Sequence, residues 1–269
     1  MNNESLNPGF MLTKAHGRFV EFVQTCTAYR YIGVCHGQSG VGKTFSAREF
    51  AQWGALEHYE LKTPLDETTR PVLNRCQAVF YTATVANTPK AVIQGLRMKI
   101  HHLGQVRMRL EDIGTDYDRV VYASQHCPLV IVDEADRLSF KSFEQLRDLY
   151  DQYAFGLILQ GMPGLEKRLA RYPQLYSRIG FVHEFKPLSQ LEMHFIFEKY
   201  WQMLGCHYDR EIFTDVEAMN TLIRTSRGNF RLINRLFSQI KRLLAINHAQ
   251  SISSELVDAA RDCLVIGHQ

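Results

Sequence analysis

Residues 37–44 constrain the fold of this chain more than any other part of its sequence. They read Gly-Gln-Ser-Gly-Val-Gly-Lys-Thr and satisfy the pattern G-x-x-x-x-G-K-[ST] without departure. The short apolar run 31–35 precedes them, and residues 45–53 continue with helical periodicity. The pattern therefore lies between a predicted strand and a predicted helix, which is the context that a phosphate-binding loop requires.

Each residue type in this loop suits the binding of phosphate. The glycines let the backbone turn with its N–H groups inward, which makes an anion-binding nest at a helix N-terminus. We expect Lys43 to reach the β- and γ-phosphates and Thr44 to hold a magnesium ion, so the motif predicts ATP and Mg²⁺ as cofactors. The predicted nucleotide-binding residues are Gly37, Gln38, Ser39, Gly40, Val41, Gly42, Lys43, Thr44 and Phe45.

Two carboxylates end a second buried segment downstream. Residues 129–132 are Leu-Val-Ile-Val, and Asp133 and Glu134 follow them. We expect Asp133 to hold the magnesium ion, directly or through water, and Glu134 to polarise the attacking water. A solvated acidic strand end is the alternative, which the pairing with the glycine-rich loop disfavours.

Apolar segments of four or five residues alternate with helical patterns through the first two thirds of the chain. This alternation predicts an α/β fold with a parallel five-stranded sheet and helices on both faces. The predicted strands are 31–35, 78–81, 129–132, 155–159 and 181–185. The dipeptide Thr88-Pro89 is a helix start after the second strand, and that helix is predicted to end near His102.

The pattern changes after Pro187, where strands stop. Two capping boxes, Ser189-x-x-Glu192 and Thr214-x-x-Glu217, predict helix starts, and residues 230–246 form a long apolar-periodic helix. We therefore predict a nucleotide-binding α/β core at residues 1–187 and an all-helical lid at residues 188–269.

The glycine-rich loop, the Asp133-Glu134 strand end and the helical C-terminal part together resemble AAA+ ATPases over nearly the whole chain. The resemblance implies a catalytic arginine that enters the neighbouring subunit's site, a position that Arg178 matches. It also implies a lid arginine that senses the γ-phosphate, which is Arg231 in the stretch Gly-Asn-Phe-Arg. Either arginine could instead be a surface or ion-paired residue.

One position departs from the AAA+ pattern. The fourth strand of these proteins usually ends in a polar Asn or Thr sensor, whereas this chain offers only Gln160 there. We therefore expect magnesium-dependent hydrolysis that is slow.

Three stretches, 132–138, 161–165 and 228–234, resemble the TnsC, TniB and MuB group of transposition ATPases. The resemblance implies a homo-oligomer, as a ring or helical filament, that assembles on double-stranded DNA in the ATP state without sequence preference. It also implies a transposase and a target-selection protein as partners. The chain length suits a minimal member of the group.

A positively charged block gives this resemblance a physical counterpart. Between Glu67 and Glu111 there is no acidic residue, while Arg70 and Arg75 open a series of basic ones. The resemblance implies that the helix after the second strand and the loop beyond it face the DNA backbone. The predicted phosphate contacts are Lys90, Arg97, Lys99, Arg107 and Arg109. A solvated basic face is the alternative.

Composition excludes several other classes of protein. The 269 residues are 45% hydrophobic and 22% charged, which is typical of a globular chain. The first seven residues are mostly polar rather than a basic stretch leading into an apolar one, and no apolar run approaches the ~20 residues that cross a bilayer. We therefore expect a cytoplasmic protein without a membrane partner. Six widely spaced cysteines favour reduced, buried thiols over a zinc site or disulfides.

Two other classes of protein stay open. The AAA+ module of a secretion-associated ATPase shares a Gly-x-Pro-x-Leu stretch, here residues 161–165, but such proteins usually continue into a membrane segment. A helicase or initiator loader needs no long DNA filament. Nucleotide-dependent assembly on plain duplex DNA distinguishes the transposition regulator from both.

Overall fold

The structure of the protein is a computed structural model that describes residues 10–113, 118–153 and 155–264. It contains one sheet of five parallel strands in the order β2-β3-β4-β1-β5. The strands are β1 (Ile32–His36), β2 (Ala78–Thr82), β3 (Leu129–Asp133), β4 (Gly156–Gly161) and β5 (Ile179–Glu184). The predicted α/β fold with a parallel five-stranded sheet is confirmed, with small shifts of the strand ends.

Helices connect the strands and make up the C-terminal part. Those before and between the strands are α1 (Lys14–Tyr29), α2 (Lys43–Ala51), α3 (Trp53–Glu57), α4 (Thr69–Asn74), α5 (Pro89–Leu110), α6 (Arg119–Gln125), α7 (Phe140–Tyr153), α8 (Leu165–Leu169) and α9 (Pro173–Tyr176). After β5 come α10 (Gln190–Met203), α11 (Phe213–Ser226), α12 (Phe230–Asn247) and α13 (Ser254–Asp262). Within the described ranges, no helix combines the length and apolarity needed to span a bilayer.

The chain divides into two compact units. The larger unit contains the sheet and comprises residues 16–37 and 43–185. The smaller unit comprises the described residues of 1–15, 38–42 and 186–269, so the middle of the glycine-rich loop groups with the C-terminal helices. The predicted domains, 1–187 and 188–269, stay a prediction.

The central strands β3 and β4 position polar side chains at one edge of the sheet. Every residue of both strands is buried, as expected for a parallel sheet covered on both faces. The register pairs Val132 with Leu159. Asp133 and Gln160 each follow one of these partners, so their side chains come together where the two strands end.

The helix that follows β2 is longer than predicted. Thr88 caps it as expected, because its hydroxyl oxygen accepts the backbone N–H of Ala91 at 3.2 Å. The predicted end near His102 is wrong, since α5 continues to Leu110. Leu103 and Val106 are buried and extend the apolar face of the helix by two turns. Its last turn therefore contains basic residues that were expected in a loop.

The smaller unit has its own apolar core, formed by the inner faces of α10 to α13. Trp201, Phe197 and Phe237 are fully buried there. The predicted capping box at α10 is confirmed, because Ser189 and Glu192 exchange side-chain and backbone hydrogen bonds. The capping box predicted at Thr214 and Glu217 is wrong.

Helix α11 begins two residues before the start that the capping box predicts. The helix begins at Phe213 and has no side-chain cap, which places Thr214 inside its first turn. The carboxylate of Asp215 instead accepts the backbone N–H of Asp209 at 2.9 Å and fixes the preceding loop. A Thr-x-x-Glu pattern is therefore not sufficient to define the helix start.

Burial keeps most cysteines unreactive, as the sequence predicts. All six are free thiols, and only Cys263 is exposed. Burial raises the pKa of Cys35 and of Cys127 to about 12. Both thiols are therefore protonated near neutral pH and are poor nucleophiles.

Candidate nucleotide-binding site

The loop at residues 38–42 follows a backbone path that favours glycine. Gly40 and Gly42 have φ angles of 82° and 109°, in the left-handed region. Within the same unit a side chain at position 40 would collide with Asn229, whose Oδ1 atom would lie 2.3 Å from an added Cβ. Position 40 therefore requires glycine for its φ angle and for the space that Asn229 fills.

Helix α2 begins directly after this loop and suits an anion. It starts at Lys43 and has no acidic residue in its first turn. The unpaired backbone N–H groups of a helix N-terminus and the helix dipole both attract negative charge. Phe45, a predicted nucleotide contact in the same turn, is 53% exposed.

The side chain of Lys43 lies inside the larger unit, and its ammonium group donates a hydrogen bond to the backbone. Its side chain is buried, and the ammonium Nζ donates to the carbonyl oxygen of Gly37 at 2.7 Å. Burial lowers the pKa of Lys43, and nearby acidic groups, including Asp133 and Glu134, oppose that shift. The structure thus brings the predicted phosphate-binding lysine and the predicted strand-end carboxylates together.

The side chains of Thr44 and Asp133 bring together two oxygen atoms that are suitable ligands for a small divalent cation. The Thr44 hydroxyl donates to Asp133 Oδ2 at 2.8 Å, across 89 residues of sequence. Asp133 is 2% exposed at the end of β3. A hydroxyl and a carboxylate are hard oxygen ligands, so this pair fits Mg²⁺.

Gln160 supports this pair from the next strand. Its side-chain Nε2 donates to Asp133 Oδ1 at 2.7 Å, and the residue is fully buried. Its Oε1 atom is also buried and has no hydrogen-bond partner among the described residues. The sequence identified Gln160 as a departure from the AAA+ pattern. Its contact with Asp133 could not be predicted in the same way, because it depends on the register between β3 and β4.

Glu134 has an unusual backbone conformation. Its φ and ψ are 55° and 37°, a left-handed conformation that costs a non-glycine residue about 1–2 kcal/mol. Its side chain is 37% exposed, and Oε2 lies 3.4 Å from the guanidinium of Arg137. Such strain at the end of a buried strand is a feature of functional sites.

Asn229 and Arg231 contact the glycine-rich loop within the smaller unit. Arg231 Nη1 donates to the Ser39 hydroxyl at 3.0 Å, and Asn229 Nδ2 donates to the Ser39 carbonyl oxygen at 2.9 Å. The backbone N–H of Arg231 also donates to the carbonyl oxygen of Gly40 at 3.3 Å. The sequence identified Arg231 but missed Asn229, whose signal is its position as the N-cap of α12.

The remaining predicted loop residues differ in exposure. Gln38 and Ser39 are exposed, whereas Val41 is 2% exposed. Gln38 and Val41 both line an open cavity of the smaller unit. Exposed polar groups at the loop tip are accessible to a ligand.

Arg178 is the predicted catalytic arginine, or arginine finger, for the site of a neighbouring subunit. In this structure it pairs with a carboxylate of its own chain. Its Nε and Nη2 atoms donate to the two carboxylate oxygens of Asp151 at 2.8 and 2.9 Å, and Nη1 donates to the Gln174 carbonyl oxygen. Its side chain is still 34% exposed. This ion pair lies at the start of the edge strand β5.

The five predicted DNA contacts do not form one free surface. Lys90 and Arg97 are exposed on α5, whereas Lys99 lies over the Trp53 ring at 4.6 Å from its centroid. The expectation that Arg107 and Arg109 lie in a loop is wrong, because both are in the last turn of α5.

Both of these arginines are engaged within the larger unit. Arg107 donates to the carbonyl oxygen of His126 at 3.1 Å. Arg109 donates to the Tyr59 hydroxyl at 2.8 Å and to the carbonyl oxygens of Leu61 and Thr63. Two of the five predicted DNA contacts are therefore already hydrogen-bonded within the protein.

The strand order and the glycine-rich loop after β1 define a P-loop α/β protein. The family model of the AAA domain matches residues 26–169, which is more than half of the chain. The chain therefore belongs to the AAA domain family.

Proteins similar to this chain include one relative by sequence and two solved structures by fold. A "potential ATP-binding protein" of Staphylococcus aureus is 44% identical over 269 residues, covering 97% of this chain and 98% of that protein. The Thermotoga maritima Holliday junction branch migration motor RuvB has a TM-score of 0.57 at 15% identity, covering 96% of this chain and 71% of RuvB. Domain III of the Thermotoga maritima replication initiation protein DnaA has a TM-score of 0.56 at 11% identity, with coverage of 96% and 95%.

Proposed function

We propose that this AAA-domain protein binds ATP with Mg²⁺ and hydrolyses it. The hydrogen bond between Thr44 and Asp133 carries the proposal, because it joins the end of the phosphate-loop motif to a buried strand-end carboxylate. The relative in Staphylococcus aureus, a potential ATP-binding protein, supports it. Mg²⁺ supplies charge neutralisation at the phosphates, and Thr44 and Asp133 would hold it.

The roles of the other residues follow from their chemistry. Lys43 supplies a fixed cation for the β- and γ-phosphates, and Arg231 supplies a planar fork near Ser39. Glu134 is the proposed general base, since its carboxylate is accessible at the end of β3. Gln160 keeps one oxygen of Asp133 occupied, which suits the slow hydrolysis that we expect from this strand end.

Arg178 acts in this proposal on the site of a neighbouring subunit. Arg178→Ala should leave ATP binding by an isolated subunit intact and lower hydrolysis by the assembly about 1,000-fold or more. Mixing Arg178→Ala protein with Glu134→Gln protein should restore turnover, because mixed interfaces combine an intact base with an intact finger. The measurement is steady-state phosphate release across mixing ratios.

Asp151 provides the matched control for this experiment. Asp151→Asn breaks the same ion pair but keeps the guanidinium. If Arg178 only stabilises the fold, both variants should lose activity alike and no mixture should recover. A finger instead predicts that Asp151→Asn stays active while Arg178→Ala does not.

We further propose that the protein assembles on duplex DNA in the ATP state and regulates transposition by delivering the target to a transposase. The support is the sequence resemblance at residues 132–138, 161–165 and 228–234, together with the exposed cations Lys90 and Arg97. Fold similarity to a branch migration motor is compatible with a DNA partner. The proposed assembly is a homo-oligomer, and the transposase and target-selection protein belong to the same proposal.

Binding to labelled duplex DNA tests the DNA partner. Fluorescence anisotropy with ATP should show binding that ignores sequence and weakens steeply with salt, because phosphate contacts release counterions. With ADP the affinity should fall. Equal binding with ATP, ADP and no nucleotide would remove the proposed dependence on ATP.

A further inference from the structure

Five of the sixteen residues that line the open cavity of the smaller unit are arginines. Its volume is about 1160 Å³. The charged residues in its lining are Arg224, Arg227, Arg231, Arg235, Arg261, Asp258 and Asp262. Arg261 pairs with both aspartates, at 2.8 and 3.1 Å. Within the described ranges, the other four arginines form no ion pair with a carboxylate, so positive charge dominates the cavity.

Helix α12 extends this charge along its outer face. Arg231, Arg235 and Arg242 are spaced by four and seven residues, which places them on one stripe about 16 Å long. The opposite face packs into the core through residues such as Ile233 and Phe237. The stripe is therefore the solvent-facing side of an anchored helix.

The sequence around this stripe contains no compensating acid. Residues 218–254 include no Asp or Glu. The basic residues of that segment, all exposed, are Arg224, Arg227, Arg231, Arg235, Lys241 and Arg242. This surface contrasts with α5, where Lys99, Arg107 and Arg109 are only partly exposed. Arg224 and Arg242 also form hydrogen bonds within the smaller unit, but to the uncharged side chains of Thr221 and Gln239.

Arg227 has a backbone conformation that is unfavourable for arginine. It is the C-cap residue of α11 and has a φ of 47°, in the left-handed region. Glycine or asparagine suits that backbone better. The backbone conformation therefore disfavours arginine, while its positive charge interacts favourably with the C-terminal end of the helix dipole and is exposed to an anionic ligand.

A single nucleotide cannot account for the whole surface. Arg231 contacts Ser39 of the glycine-rich loop, but Arg235 and Arg242 lie about one and three turns further along α12. A linear series of cations matches a linear series of phosphates, which a nucleic acid backbone presents every few ångströms. Charge complementarity therefore favours a strand of phosphates over one small anion.

We propose that the lid arginine surface, defined as Arg224, Arg227, Arg235 and Arg242, binds the phosphate backbone of duplex DNA. The inference rests on the proposed function for its choice of partner. It adds a contact surface on α11 and α12 to the exposed cations of α5. Because Arg231 at one end of the stripe contacts the glycine-rich loop, DNA and nucleotide meet in the same unit.

A double variant tests this surface without disturbing the fold. Arg227→Asn suits the left-handed backbone, and Arg235→Gln places a good helix former on an exposed face. The matched control is Lys141→Gln with Lys167→Gln, which removes two exposed charges from α7 and α8. Affinity for random-sequence duplex DNA is measured by anisotropy with ATP over a salt series.

The lid double variant should bind duplex DNA about tenfold more weakly at about 100 mM salt, with a slope of log affinity against log salt reduced by about two. The control should keep the parental slope. Parental binding by the lid variant overturns the inference, as does equal weakening by the control, while the proposed function stands. If ATP affinity falls as much as DNA affinity, the arginines act through the nucleotide and the inference also fails. A parental protein that never binds duplex DNA overturns both proposals.

Discussion

Replacing Lys43 by alanine is expected to lower the affinity for ATP about 100-fold or more. The buried ammonium is fixed 2.7 Å from the Gly37 carbonyl oxygen, so it is already oriented where a phosphate would bind. Hydrogen bonds to charged groups contribute about 1.5–3 kcal/mol, and about 3 kcal/mol corresponds to 100-fold in affinity. The backbone nest alone would hold the phosphates weakly. Isothermal titration calorimetry with ATP and Mg²⁺ measures the change.

A second lysine controls for the loss of charge. Lys167→Ala removes an exposed lysine of α8 in the same unit, and we expect the parental affinity for ATP. Thermal denaturation of both variants separates lost binding from lost folding. A folded Lys43→Ala protein with unchanged affinity would refute the phosphate-binding role of this loop.

The Glu134→Gln variant is expected to bind ATP and hydrolyse it about 100- to 10,000-fold more slowly. Glutamine has nearly the same shape and can still hold a water molecule, but its amide does not accept the proton. The exposed ion pair with Arg137 contributes at most about 1 kcal/mol, so its loss should leave the fold intact. Phosphate release at saturating ATP measures turnover, and calorimetry measures binding.

Glu60→Gln is the matched control, since it makes the same substitution at an exposed position of the larger unit. It should hydrolyse ATP at the parental rate. Parental turnover by Glu134→Gln would show that another group takes the proton from water. Loss of ATP binding would instead assign the carboxylate to ground-state binding.

The sheet could be predicted because its signals are local. Short runs of Val, Ile and Leu, such as the one at 129–132, suit strands that are buried on both faces. The ends of two helices were less predictable. Burial of Leu103 and Val106 extends α5, and the Asp215 carboxylate fixes the loop before α11, and both contacts depend on tertiary structure.

The candidate site was predictable where its residues are contiguous. Spacing alone indicated Lys43 and Thr44, because one loop and one helix start position them. The contacts of Gln160 with Asp133 and of Asn229 with Ser39 join distant segments, and no local pattern reports them. Composition likewise located basic residues but could not show which of them already have partners.

The exposure of each basic side chain shows whether it is accessible to DNA, which the sequence alone does not. Arg109 is basic in sequence, yet its guanidinium donates to several oxygens of residues 59–63. The acid-free segment 218–254 keeps its cations on the surface instead. The structure therefore adds α12 to the surfaces on which a DNA partner can be tested.

Electron microscopy of the Glu134→Gln protein with plain duplex DNA, Mg²⁺ and ATP tests the central claim most directly. This variant should hold ATP with little turnover, so any ATP-state assembly accumulates. The proposal predicts ordered rings or filaments on the DNA with ATP and bare DNA with ADP. Bare DNA under both conditions, from protein that calorimetry shows to be saturated with ATP, would contradict an ATP-dependent assembly on duplex DNA.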